Sequence, residues 1–159
     1  MHIIKVFLLV TIAVWLACCN HHTQTNQNAE PAVSASSFEP CSLITREEVS
    51  TVLDQQVTAA TAQNSPRPNC RYTVGDGSVT VFAFTDNSAA GAFQTGKRMQ
   101  DSQTESMSEV GDQAYWSPSI KTLNVLKGKV YFTVQFYGVP SGSKETMKIL
   151  AQKAVARIP

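Results

Sequence analysis

Apolar side chains are distributed along the 159-residue chain in three successive patterns. Residues 6–17 form an almost unbroken apolar run. Residues 20–37 are mostly Asn, Gln, Thr, Ser, Ala and His, with neither a helical nor a strand period. From residue 38 onward, helical and strand spacings alternate. Thr-Arg-Glu-Glu at 45–48 reads as a capping box, with Thr45 as N-cap and Glu48 reaching back to it. Leu43 or Ile44 can staple against Val49, and Val52 and Leu53 extend the stripe, so a short helix is expected to end near Asp54. Strands are expected over 56–62, 70–74 and 78–85, separated by a Pro- and Asn-containing loop at 64–69 and by Gly75-Asp76-Gly77. Val79, Val81, Phe82 and Phe84 put apolar residues on both faces of the third strand, which suits a central position.

A second helix, capped by Asp86, Asn87 or Ser88, is expected to run to about Gln103 with the stripe Ala89, Ala92, Phe93, Gly96 and Met99. A strand over 105–110 then leads into Gly-Asp-Gln-Ala-Tyr-Trp at 111–116. Segments 120–126 and 129–137 alternate about Lys127-Gly128 and read as a hairpin. A last helix over 144–157 buries Met147, Leu150, Ala151, Ala154, Val155 and Ile158. The order α-βββ-α-βββ-α implies an α+β fold of two layers, an antiparallel sheet packed on one face by helices. Three regions follow: a leader (1–17), a linking segment (18–37) and a folded domain (38–159).

Lys5 is the only charged side chain of the leader, and it precedes the apolar run, which stops at Cys18-Cys19. A run of this length is short for a bilayer span but suits the core of a signal peptide. Its ending, Leu16-Ala17-Cys18, resembles the lipobox of bacterial lipoproteins, in which the cysteine is diacylglycerated and becomes the mature N-terminus. Cys18 has the small residue Ala17 before it. Cys19 is the alternative, with Leu16 three places before it. The implied protein is exported and lipid-anchored to the cell membrane or outer membrane, with its domain on the periplasmic or extracellular side. The polar segment after the cysteine reads as a flexible tether with a reach of roughly 20–25 Å.

Charge narrows the function further. Beyond the leader the chain carries 12 basic and 12 acidic side chains, which leaves no electrostatic footprint for nucleic acid. Any membrane attachment then comes from the lipid, not from charge. Residues 38–159 contain no histidine, which removes Ser-His and Cys-His nucleophile systems and most zinc enzymes. His21 and His22 are adjacent with no further ligands nearby and read as solvated linker residues. No catalytic, metal or cofactor-binding residue is therefore assigned. The alternative kept open is a carboxylate-dependent hydrolase of cell-wall glycans, because distant Asp and Glu residues can converge in a fold. Cys41 and Cys70, the only cysteines of the domain, are expected to pair in an exported compartment. Closing a loop of about 30 residues contributes roughly 3–4 kcal/mol.

Two sets of aromatics are candidates for a binding surface. Tyr115 and Trp116 end the glycine corner and can offer a platform to a sugar or peptide. Tyr131, Thr133, Gln135 and Tyr137 alternate with Val130, Phe132, Val134 and Phe136, and are expected to face outward, with Tyr131 and Tyr137 as the candidates, while the second set packs on helices.

Three segments together resemble a widespread group of small bacterial lipoproteins of undefined function: Cys-Ser-Leu-Ile-Thr-Arg-Glu-Glu-Val at 41–49, Cys-Arg-Tyr at 70–72 and Val-Gly-Asp-Gln-Ala-Tyr at 110–115. That group combines a lipobox, a Cys-Ser-Leu-Leu-Thr-type helix start, a second cysteine before a strand and a Gly-Asp-x-Ala-aromatic corner. The resemblance spans most of residues 41–159 and implies the address and fold. It carries over no active site. The expected function is a non-catalytic envelope lipoprotein that binds a protein partner or small ligand, or serves as an accessory module.

Overall fold

The computed structural model describes residues 38–64, 67–100 and 103–159, which belong to one unit, Ser36–Pro159. The expected leader 1–17, the lipid sites Cys18 and Cys19 and the linking segment 18–37 lie outside the described residues. A short 3-10 turn at Pro40–Ser42 precedes α1 (Arg46–Leu53), β1 (Val57–Gln63), β2 (Asn69–Val74) and β3 (Gly77–Phe84). Helix α2 (Ala89–Met99), β4 (Glu105–Met107), β5 (Gln113–Ser117), β6 (Thr122–Lys127), β7 (Val130–Tyr137) and α3 (Lys144–Val155) complete the chain. The strands form one open antiparallel sheet of seven, in the order β1-β2-β3-β7-β6-β5-β4.

The α+β class stands, with two corrections. The second block holds four strands, so the order is α-βββ-α-ββββ-α. The Gly-Asp corner feeds a strand of its own, β5, whose Ala114, Tyr115, Trp116 and Ser117 are buried or half-buried on both faces and so show no alternation. The helices also occupy both faces of the sheet. Successive strand residues point to opposite faces. Tyr72, Val79, Val81, Val125, Phe132 and Val134 share one face, where Val49 and Leu53 of α1 and Met147, Leu150 and Ala154 of α3 complete the main core. Tyr131, Leu126 and Tyr115 point the other way and meet Ala89 and Phe93 of α2 in a second, smaller core. The two helix-plus-strands blocks are therefore not copies of each other. A two-fold relating antiparallel β3 and β7 would put α1 and α2 on the same face.

Local signals set the main element boundaries. Thr45 and Glu48 form the expected capping box, and Ser143 with Thr146 forms a second one at α3. Two-residue turns close the β2–β3 and β6–β7 hairpins, with Gly75 and Gly128 at positive φ. Helix α2 stops at Met99, which is 82% exposed although it continues the helical spacing.

Cys41 and Cys70 lie at disulfide distance, with Cα atoms 4.9 Å apart and a sequence separation of 29. The link fastens the turn before α1 to β2. Around it, the Tyr72 hydroxyl donates to the Ile44 carbonyl, and Arg157 donates to the Leu43 carbonyl at 3.0 Å and to Glu48 at 3.0 Å. Reducing the disulfide is expected to lower unfolding stability by about 3 kcal/mol. Denaturant melts with and without reductant check this. Equal midpoints would show that Leu43, Ile44 and Tyr72 hold this corner unaided.

Candidate functional site

The four candidate aromatics have different surroundings. Tyr115 is fully buried and Tyr131 is 7% exposed, so neither offers a surface. Both pack on α2: the Phe93 ring stands edge-on to Tyr115 at 5.1 Å and to Tyr131 at 5.7 Å, and Phe84 stacks on Tyr131 at 5.1 Å. The expected outward face of β7 is thus covered at Tyr131, because a helix is seated on it. Trp116 points to the opposite face and is half-buried against the main core. Tyr137 alone is open, at 76% exposure.

Beneath α2 lies a polar floor. The Tyr131 hydroxyl donates to Asn124 Oδ1 at 2.9 Å, and Ser117 donates to Gln100. The Tyr115 hydroxyl is buried near that of Tyr131, makes no well-formed hydrogen bond among the described residues and ends against Gly96. Burial raises the Tyr115 and Tyr131 phenol pKa values, and it raises that of Tyr72 to about 12, with the Glu48 charge adding to the effect.

The Gly-Asp corner is a clasp. Gly111 sits at φ +61°, and a Cβ there would lie 2.6 Å from the Leu126 carbonyl oxygen and 2.7 Å from Val125 Cγ1. The Asp112 N–H donates to that same Leu126 carbonyl at 2.8 Å. The Asp112 carboxylate then accepts from the Gly128 N–H at 2.7 Å and from Lys127 Nζ at 2.9 Å, closing over the β6–β7 turn. These bonds hold the carboxyl below its usual range, the Gly128 N–H first.

Beyond α2 the second face of the sheet is partly exposed, with Ser78, Asn69 and Thr133 buried in it. Cross-strand register places Thr61, Arg71, Thr80 and Gln135 in one row. Thr73, Ser78 and Tyr137 flank it on one side and Phe82 on the other. Arg71 is exposed, and Thr73, Thr80, Phe82 and Gln135 are half-buried. Arg67 stands over the Phe84 ring at 5.2 Å, at the border with α2. Of this surface, sequence reading places only Gln135 and Tyr137 on the outward side of their strand. The signal for the rest is the alternation of Arg71 and Thr73 with Cys70, Tyr72 and Val74.

Glu48, Glu105 and Glu109 are engaged in ion pairs. Glu48 accepts from the Thr45 N–H at 2.9 Å and from Arg157, with Lys153 at 3.7 Å. Burial alone would raise its pKa, but the bonds from Arg157 and Thr45 and the nearby positive charges outweigh that, and the net shift is down. Glu109 pairs with Lys148 at 2.8 Å, which lowers its pKa, and Glu105 pairs with Lys144. Depressed carboxyl values are the reverse of what a glycosidase's general acid requires. Among the described residues no group of three His, Cys, Asp or Glu is placed to hold a metal, and no helix is long and apolar enough to cross a membrane. A shallow cavity of about 340 Å³ lies between α1 and the start of β1, lined by Arg46, Glu47, Ser50, Thr51, Gln56 and Val57.

Comparison of the chain with family models, with curated proteins and with solved structures gives no match.

Two expectations follow from this geometry. Gly111→Ala combines positive φ with overlap onto backbone and should cost at least about 2 kcal/mol. Gly91→Ala, where a Cβ meets nothing within 4 Å, should instead stabilise by about 0.5–1 kcal/mol. Denaturant unfolding of the two variants compares them directly, and equal effects would deny the clasp its role. The tyrosines give a pH dependence. Folded Tyr72, Tyr115 and Tyr131 keep their protons above the ordinary value of 10.0, whereas the unfolded chain releases them there. The stability these tyrosines contribute should therefore be constant below that pH and be lost as pH rises above it. Phenolate absorbance should appear for these three only together with loss of the fold. Early ionisation of all tyrosines with the fold intact would contradict their burial.

Proposed function

We propose that this chain is the precursor of an exported lipoprotein of the bacterial envelope, and that its domain is a non-catalytic binding or accessory module. The observation that carries the reading is the leader: Lys5, an apolar run, and the junction Leu16-Ala17-Cys18. Lipid on Cys18, or on Cys19 as the alternative, anchors the domain on the periplasmic or extracellular side of the cell membrane or outer membrane. Two further features support it. Cys41 and Cys70 stand at disulfide distance, which suits an oxidising compartment. The domain lacks histidine, so acid–base and nucleophilic chemistry have few carriers.

The recognition surface in this reading is the partly exposed half of the second sheet face, centred on Tyr137, Arg71 and half-buried Phe82. Aromatic and arginine side chains anchor protein contacts because they bury large areas at low entropic cost. The partner is another envelope protein or a small envelope ligand. The glycan-hydrolase alternative gains no support from the ion-paired, depressed carboxylates of Glu48, Glu109 and Asp112.

Cells fed an alkyne fatty acid should label the protein, and Cys18→Ser should abolish the label. Loss only in Cys19→Ser would move the anchor by one residue, and an unlabelled native protein would end the lipoprotein reading. Tyr137→Ala should leave the melting midpoint unchanged while weakening in-cell crosslinking to an envelope partner about tenfold. Unaltered crosslinking would place recognition elsewhere.

A further inference from the structure

The two edges of the sheet are treated differently. At one edge, β4 is only three residues long and begins with Glu105, which is ion-paired to Lys144. Short, charged edges resist pairing with other strands. At the other edge, β1 has seven residues, six of them exposed, and β2 is its only strand neighbour among the described residues. Among those residues no strand pairs with the N–H and C=O groups on the other side of its backbone. From Gln55 to Asn64 the chain holds no Lys, Arg, Asp, Glu or Pro. The register irregularity lies between Val57 and Ala59, so Ala59–Gln63 pairs regularly with β2.

We propose that β1 is a self-association edge. In this arrangement two copies of the chain pair β1 with β1 antiparallel, about a two-fold axis at Thr61, into one continuous sheet. The occupant is a second copy because the strand is complementary to itself. A two-fold at the centre of the regular stretch sets Thr61 against Thr61, Ala60 against Ala62 and Ala59 against Gln63. Homotypic pairing brings residues near the axis close to their own duplicates, which a charge there would oppose, and β1 carries none. Thr–Thr pairs across antiparallel strands are favourable through their hydroxyls. The alanines leave both sheet faces free of bulk at the seam. Along the strand row through Thr61, the first like charges are the Arg71 side chains of the two copies, three strand spacings apart. That distance is about 14 Å, beyond the screening length of about 8 Å at physiological salt.

Directly opposed residues of antiparallel strands have Cα atoms about 4.5–5.5 Å apart, within the range a disulfide accepts. Thr61→Cys in the full chain, oxidised in intact cells, should therefore give a disulfide-linked dimer of this chain. Ser119→Cys, at an exposed position far from β1 in the sheet order, should give no more dimer than the native chain, in which Cys19 stays a thiol when Cys18 carries the lipid. Adding Ala59→Lys to Thr61→Cys should reduce the dimer about tenfold, equivalent to about 1.4 kcal/mol, because an edge lysine resists strand pairing. Continued protection of Cys41 and Cys70 from alkylation confirms that each variant folds. Absence of a dimer with Thr61→Cys, equal dimer with Thr61→Cys and Ser119→Cys, or a disulfide adduct of the Thr61→Cys variant with a different protein would each overturn the proposal. The adduct is read wherever the chain resides, so this outcome is independent of the lipid assignment.

Discussion

The pairing of β3 with β7 holds the two halves of the sheet together. On one side of it lie β1 and β2, and on the other β6, β5 and β4, each joined to its neighbour by a short connection. The seam itself is non-local: β3 ends at Phe84 and β7 begins at Val130, yet they pair from Ser78↔Tyr137 to Phe84↔Tyr131. Both cores depend on it. Val81 and Val134 sit side by side in the main core, while Phe84 and Tyr131 stack in the second. Where the seam starts, a Cβ on Gly77 would lie 2.4 Å from the Gly138 carbonyl oxygen, so this close approach of backbones accepts no side chain. Closing the seam brings together strands 45 residues apart in sequence, so its loop-closure entropy slows folding relative to the local hairpins.

What is legible in the sequence is what is decided locally. The capping box at Thr45 and Glu48, the turns at Gly75 and Gly128, and the buried stripe of α3 each depend on residues a few positions apart. The second core is not legible. Its helix buries only Ala89 and Phe93 deeply, a stripe too narrow to reveal which face of the sheet it covers. β5 shows no alternation, and β7 alternates so that Tyr131, Thr133, Gln135 and Tyr137 read as a solvent face, so neither strand announces a second packed face. Tyr131 reads as amphipathic in sequence and becomes core because Phe84 and Phe93 enclose its ring while Asn124 satisfies its hydroxyl.

The candidate surface shows the same limit. Tyr137 stands out as an aromatic at a strand end. Arg71, Thr80 and Gln135 do not, because they come from three strands and form a row only once two registers are fixed. The Gly-Asp corner draws attention for the opposite reason. Its glycine and aspartate are conspicuous, but their geometry serves the β6–β7 turn, and the tyrosine that follows is interior. A conspicuous motif can mark backbone crowding as readily as it marks a ligand.

The position of the disulfide has a mechanical consequence. The described chain begins at Phe38, Cys41 follows within a few residues, and the disulfide passes directly into β2, the second strand of the sheet. A pull on the amino-terminal side of the domain therefore bypasses α1 and β1, which lie within the closed loop. The load reaches the sheet through a covalent bond and is borne by the ladders on β2. A domain held and tugged from that end would keep its outer strand and first helix unstressed while the interior strands resist in concert.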